Sequence, residues 1–279
     1  MHIKPYDNAN KPIVDAGNTD LALCYFNVVR LKAGETFDYT LPGFETCCVL
    51  AHGTCDFVVG EARFDAVGVR TSIWDGDPSG IYAPGGATVS MTCRSENAEI
   101  FIAGGRTDEI FAPFVIRPEN VEKVQYGSDE TKTHRKIKHV LGQNPPGHVS
   151  RLLISELFTV GAGGWSGFPP HKHDEERPPK ETRFEEIYQF RFNPDWGFGA
   201  QFITPEGAEM GDVHHLRSGS TILIDNGYHP CVAAPGYEMY YFTILVGEAQ
   251  RSLVQHFHTD HAYQIETIPG IKDMIAAFK

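Results

Sequence analysis

The sequence predicts an all-β chain, and three observations carry that prediction. Short runs rich in Val, Ile, Phe, Tyr and Thr recur along the 279 residues, Gly and Pro interrupt them at close intervals, and helical apolar periods are scarce. In the first half the runs fall at residues 22–31, 46–50, 56–59, 87–93 and 99–103. In the second half they fall at 151–160, 186–192, 198–203, 221–224 and 238–246. Between them residues 117–148 form a polar stretch in which Lys, Arg and His interleave and Asn144-Pro145-Pro146-Gly147 marks a turn, so the stretch reads as a connector. In the tail Ile271, Met274, Ile275 and Phe278 recur at helical spacing, which predicts a short closing helix over 271–278.

A faint internal repeat sets the organisation. Ile81-Tyr82-Ala83-Pro84-Gly85-Gly86 followed by residues 99–104 echoes Ile222-Leu223-Ile224-Asp225-Asn226-Gly227 followed by 238–247, and the halves read as two copies of one barrel. The expected layout is an N-terminal barrel over 1–116, the connector over 117–150 and a C-terminal barrel over 151–279. In this register Thr88 stands where His229 stands, and no histidine precedes Glu45, the counterpart of Glu186. The first copy is therefore expected to hold no metal and to serve as scaffold, oligomer contact or pocket wall.

Composition sets outer bounds. A hydrophobic fraction of 41% is enough for a core, and a net charge of −12 argues against nucleic acid, whose phosphates reward basic surfaces. No apolar run is long enough to cross a bilayer, and Met1-His2-Ile3-Lys4-Pro5 lacks the apolar stretch of a signal peptide, so no membrane partner and a cytoplasmic location are expected. Cys24, Cys47, Cys48, Cys55, Cys93 and Cys231 show no Cys-x-x-Cys spacing and are expected as reduced thiols, with Cys47-Cys48 as core and edge of one strand. A homo-oligomer is the default expectation for such a chain.

The most specific chemistry lies in Pro169-Pro170-His171-Lys172-His173-Asp174, Glu185-Glu186-Ile187-Tyr188 and Gly227-Tyr228-His229-Pro230. On a strand His171 and His173 leave the same face and Lys172 points the other way, outside the site. Together with Glu186 and His229 they make three imidazoles and one carboxylate. That donor set suits one divalent transition metal, with Zn, Mn, Fe, Co and Ni all compatible and Zn or Mn preferred, and it leaves coordination positions for substrate or water. Glu186 is preferred to Glu185 because Tyr188 and Phe190 share its inward face while Glu185 looks outward. A second group, His256, His258 and His261, lacks a downstream carboxylate in strand-turn context and reads as a solvent-facing or core-edge cluster. His214 and His215 are adjacent and diverge on a strand.

These motifs resemble the cupin superfamily, whose His-x-His and Glu lie on neighbouring strands and whose further His lies on a later strand of a small jelly-roll barrel. The fold implied is two tandem cupin-type β-barrels, a bicupin. Three departures stand out: Asn193 replaces the usual Gly, the His173-to-Glu186 gap is long, and Asp225 takes the usual Pro position with His229 one residue early. The blocks Trp165 to Asp174, Arg177 to Thr182, Glu185 to Tyr188, Gly227 to Pro230 and Ala234 to Tyr241 further resemble the 5-deoxy-glucuronate isomerase family of inositol catabolism. The resemblance is dense across 153–247 and general before it.

That resemblance implies an aldose–ketose isomerase that converts 5-deoxy-glucuronate, a small sugar acid, to 5-dehydro-2-deoxy-gluconate. Such a reaction moves a proton between neighbouring carbons through an enediolate, which a metal stabilises electrostatically. Glu185, Asp174, Glu176 or a metal-bound hydroxide are the candidates for the base. Tyr188 and Tyr228 are candidate hydrogen-bond donors to substrate, with Tyr188 counted among the catalytic groups. Arg177, Lys180 and Arg183, in the insertion after the histidines, are candidates to hold the substrate carboxylate. An iron-dependent cupin dioxygenase, a non-catalytic sugar-acid sensor and the sister ketol-isomerase acting on 5-keto-4-deoxyuronate remain alternatives.

Overall fold

The computed structural model describes residues 1–161 and 163–277, and these described residues are all-β apart from two short 3₁₀ turns and one closing helix. It divides into two compact units: Asp7–Glu122 with Lys138–Ile154, and Met1–Tyr6 with Lys123–Ile137 and Ser155–Lys279.

The first unit is built on a five-stranded antiparallel sheet in the order Phe114–Ile116, Gly80–Ala83, Phe44–His52, Asn97–Arg106, Cys24–Lys32. A four-stranded sheet, Thr36–Thr40, Thr88–Cys93, Cys55–Val59, Ala62–Val67, accompanies it. Val29, Leu50, Ile81, Ile100 and Ile102 of the larger sheet share one apolar cluster with Phe57, Val59, Val89 and Met91 of the smaller. Burial of these β-branched and aromatic side chains on facing sides is what the alternating pattern BiBiB over Cys55–Val59 dictates.

The second unit repeats the plan. It contributes His2–Ile3, Thr221–Ile224, Phe184–Asn193, Glu238–Gly247 and parts of Leu152–Thr159, Arg135–Leu141 and Glu122–Tyr126 to a seven-stranded sheet in that order. A four-stranded sheet, Gly164–Ser166, Cys231–Ala233, Phe198–Ile203, Asp212–Arg217, and a two-stranded ribbon of His171–Lys172 with His256–Phe257 complete it. Tyr188, Phe190, Ile222, Ile224 and Tyr241 pack against Leu216, Cys231 and Ala233 in the core. Each sheet runs from edge to edge without closing on itself.

The stretch expected as a bare connector carries two strands, Glu122–Tyr126 and Arg135–Leu141, and its residues divide between the units. Its charges hid them: Arg135 and Ile137 are buried while Lys136 between them is exposed, the alternation of a sheet with one wet face. The expected tail helix forms as Ile271–Ala277 and packs Ile271 and Met274 on Tyr126 and Ile137; Phe278 lies outside the described residues.

The strand register corrects the repeat. Thr46 pairs with Ala83 and Gly104, and Glu186 pairs with the matching Ile224 and Leu245. Thr46, not Glu45, is therefore the counterpart of Glu186, and Glu45 matches Glu185. Glu45 is fully buried and accepts from the backbone N–H groups of Ser150, Arg151 and Leu152 and from the Tyr82 hydroxyl, so it ties strands together. Thr88 is exposed and its hydroxyl meets that of Thr40. All six cysteines are buried free thiols, and no helix among the described residues is long and apolar enough to cross a membrane.

Candidate metal centre

Strand Phe184–Asn193 lies between Thr221–Ile224 and Glu238–Gly247, and its alternation turns Glu186, Tyr188 and Phe190 to the core. Glu186 meets His173 from the segment after the ribbon and His229 from the turn that precedes Cys231–Ala233. The donor atoms of these three residues lie within 4.8 Å of one another, and all three side chains are buried. Among the described residues no second group of three such side chains converges this way.

The hydrogen bonds set the chemistry. His173 Nδ1 donates to the Phe184 carbonyl at 3.1 Å, His229 Nδ1 to the Gly227 carbonyl at 2.8 Å, and His171 Nδ1 to the Pro169 carbonyl at 3.3 Å. A carbonyl only accepts, so each Nδ1 carries its proton and each Nε2 of a neutral ring presents a lone pair. Glu186 Oε1 accepts from the Thr243 hydroxyl at 2.6 Å, which leaves Oε2 facing His173 Nε2 at 3.0 Å and His229 Nε2 at 3.3 Å. The His229 contact is off the hydrogen-bond line, and His229 Nε2 is a buried nitrogen with no hydrogen-bond partner. Two acceptors at such a distance in a buried site require a proton or a cation between them. Burial would raise the Glu186 carboxyl, but its interactions with His173 and His229 outweigh that and hold it well below the usual carboxylate range. Burial, reinforced by the neighbouring imidazoles, keeps His171 neutral by pushing it well below its ordinary value. An orphaned imidazole nitrogen facing an ionised carboxylate is what a divalent cation fits.

The remaining expected residues fall in different places. His171 lies beside the cluster, its ring 4.9 Å from that of His229 and 6.4 Å from that of His173, while its Nε2 meets the Gln255 amide at 3.0 Å. Tyr188 is buried beneath, 6.2 Å ring to ring from His229, and burial together with the Glu186 charge keeps its phenol protonated. Glu185 leaves the opposite face of its strand, yet at 7% exposure it is buried rather than turned to solvent. Asp174 is bonded to Lys172 and to the Gly227 amide, and the Glu176 carboxylate accepts from the Arg183 amide. Tyr228 is buried against His258, with ring centroids 4.7 Å apart.

Lys172 needs a correction. It does point away from the histidine face, but it is fully buried, because the insertion brings Asp174 and Glu181, and the turn after Phe198–Ile203 brings Glu206, around its ammonium. The same insertion occupies Arg177, which pairs with Glu181, Glu175 and Glu206, and Arg183 pairs with Glu248. Lys180 is exposed, and among the described residues its ammonium has no ionic partner. The second histidine group lies beside the first: His256–Phe257 pairs with His171–Lys172, and the Phe257 ring sits 5.6 Å from that of His171. His256 and His258 are half-buried there and His261 is exposed. Thr243 and Gln255 escaped sequence reasoning. Thr243 had a signal, a lone polar residue in the apolar run of Glu238–Gly247, whereas Gln255 had none.

An all-β arrangement of paired sheets with a buried imidazole–carboxylate cluster is a cupin-like fold. The solved oxalate decarboxylase of Lactobacillus farciminis, in its formate complex, shares that fold at a TM-score of 0.60 over 95% of this chain and 86% of its own, with 10% identity. The chain belongs to the KduI/IolB family, whose model matches residues 2–264. An IolB-like protein of Salmonella typhimurium LT2 has a TM-score of 0.80 and 24% identity, with 94% of each chain covered. A curated relative, the 5-deoxy-glucuronate isomerase of Lacticaseibacillus casei, is 29% identical over 256 residues, 91% of this chain and 92% of its own length.

Proposed function

We propose that the chain is a metal-dependent aldose–ketose isomerase that converts 5-deoxy-D-glucuronate to 5-dehydro-2-deoxy-D-gluconate in inositol breakdown. Family membership supports the reaction class, and the name of the Lacticaseibacillus casei relative supports the substrate. The observation that carries the reading is the orphaned Nε2 of His229 facing the ionised Glu186 beside His173.

His173, Glu186 and His229 would hold the ion, with His171 reaching it by releasing Gln255. A divalent ion bound there supplies a fixed positive charge for the two oxygens of an enediolate. The protein's part is orientation. Backbone carbonyls lock each imidazole in the Nδ1–H tautomer, and Thr243 fixes the carboxylate. The protonated Tyr188 phenol beside Glu186 would orient that carboxylate or donate to a substrate oxygen. Glu185 lies on the far face, and both oxygens of Asp174 are engaged.

A cleft of about 390 Å³ flanks the centre, lined by Lys180, Leu253, Gln255, Phe257, Ile265 and Lys272 among others. Gln255 and Phe257 also touch His171, so the cleft adjoins the cluster. Its size suits a six-carbon acid. Lys180, which lines it, would take the substrate carboxylate. The first unit, with Thr46 in place of the ligand carboxylate, serves as scaffold, and the two units correspond to the two halves of a bicupin.

The test is incubation of the full chain with 5-deoxy-glucuronate, with and without chelator, followed by NMR. Ketone formation that stops on chelation and returns on adding Zn²⁺ or Mn²⁺ is expected. Oxygen consumption without isomerisation would indicate a dioxygenase, and faster turnover of 5-keto-4-deoxyuronate would move the assignment to the sister reaction.

A further inference from the structure

We propose that Asp174 is a positioning residue for the centre: through the Gly227 peptide it sets the orientation of His229. The inference rests on reading the cluster as an ion site.

Asp174 Oδ2 accepts the Gly227 N–H at 2.6 Å, and the carbonyl of the same Gly227 accepts His229 Nδ1–H at 2.8 Å. One glycine thus transmits a contact from a carboxylate to a ligand ring. Its backbone leaves little slack, since Gly227 has φ +82° and a Cβ there would meet the Thr204 carbonyl oxygen at 2.8 Å.

The carboxylate is itself held in place. Its Oδ1 takes the Lys172 ammonium, which also bonds Glu181 at 3.1 Å and lies 3.2 Å from Glu206. Glu181, fully buried, accepts the backbone N–H groups of Asp174 at 2.9 Å and of Glu175 at 3.0 Å, and its other oxygen takes Arg177. Lys172, Asp174, Glu181 and Arg177 are therefore joined in one connected set of charge-assisted bonds, with Glu175 and Glu206 at its margin. Asp174 follows His173 in the chain, so the set ties the segment that carries one ligand to the turn that carries another. The long gap between His173 and Glu186, unusual for the cupin pattern, contains Glu181 and Arg177 and is what makes this tie possible.

The consequence is a separation of roles. An aspartate with both oxygens engaged has none left to carry a proton from substrate, whereas loss of its bond to Gly227 frees the turn that aims His229. Hydrogen-bond partners that orient a metal-binding imidazole are typically worth about ten- to a hundredfold in affinity.

The test is competition of the metal-free full-length chain against a chromophoric chelator for Zn²⁺, in the wild type, Asp174→Ala and Asp174→Asn, with thermal unfolding recorded alongside. Asp174→Ala is expected to weaken Zn²⁺ binding about ten- to a hundredfold. Asp174→Asn should stay within a few-fold of wild type, because its amide oxygen still accepts from Gly227. Wild-type Zn²⁺ affinity in Asp174→Ala overturns the proposal. So does an Asp174→Asn protein that binds Zn²⁺ normally but has lost turnover at saturating ion, which would make Asp174 a proton carrier. If Asp174→Ala does not fold, Asp174→Glu decides: its longer side chain displaces the carboxylate from Gly227, and undiminished affinity overturns the proposal. A wild-type chain that binds no divalent ion would remove the ion-site reading itself, an outcome distinct from equal binding by wild type and variant.

Discussion

At the scale of single residues, the donor set is defined by which nitrogen of each ring carries its proton. Backbone carbonyls place a proton on Nδ1 of His171, His173 and His229 alike, and Nε2 is the nitrogen left for an ion whenever the ring is neutral. A second buried histidine gives a separate prediction. His139 is pushed down to about 4 by burial, so it stays neutral in the fold down to that pH, while in the unfolded chain it binds a proton near 6.5. Its folded value is depressed, so the stability it contributes is complete above about 6.5 and is lost as pH falls from there through 4, on the order of 3 kcal/mol in all. Chemical unfolding of wild type and His139→Leu at pH 7.5 and 4.5 should show the larger acid loss in the wild type; equal losses would remove His139 from the account. The inward direction of Glu186 was legible in the sequence, because a period of two decides which neighbour shares the face of Tyr188 and Phe190. The burial of Lys172 was not, because its direction follows from the strand but what covers it comes from residues 174–206.

At the scale of elements, the insertion after His173 does more than follow the ligands. Its cations looked interchangeable in the sequence, yet folding assigns Arg177 to Glu181 and Arg183 to Glu248 and leaves Lys180 at the cleft. Lys180→Ala is therefore expected to raise KM about three- to tenfold with little change in kcat, a modest effect because the ammonium is exposed. Steady-state kinetics on Arg183→Ala provides the contrast, with KM within about twofold of wild type. A KM unmoved by Lys180→Ala would place the carboxylate elsewhere. The long strands were readable from β-branched and aromatic runs, whereas Glu122–Tyr126 and Arg135–Leu141 were masked by surface charge. The repeat was visible, but the strand before it was matched one residue off, Glu45 in place of Thr46, because only the cross-strand partners Ala83 and Ile224 fix that strand's register.

At the scale of the whole molecule, two units of one plan carry different donor sets. In the unit of strand Phe44–His52 the ligand position holds Thr46, whose hydroxyl meets Tyr39 at 2.8 Å, and the neighbouring Glu45 is used up in backbone hydrogen bonds. In the other, Glu186 faces two imidazoles. The account therefore predicts one ion for each chain. Metal analysis of the purified full-length chain after saturation with Zn²⁺ and gel filtration tests this most directly. One equivalent in the wild type, and close to none in His173→Ala and in His229→Ala, is the predicted result. No retained ion in the wild type, or a full equivalent in both variants, would contradict it.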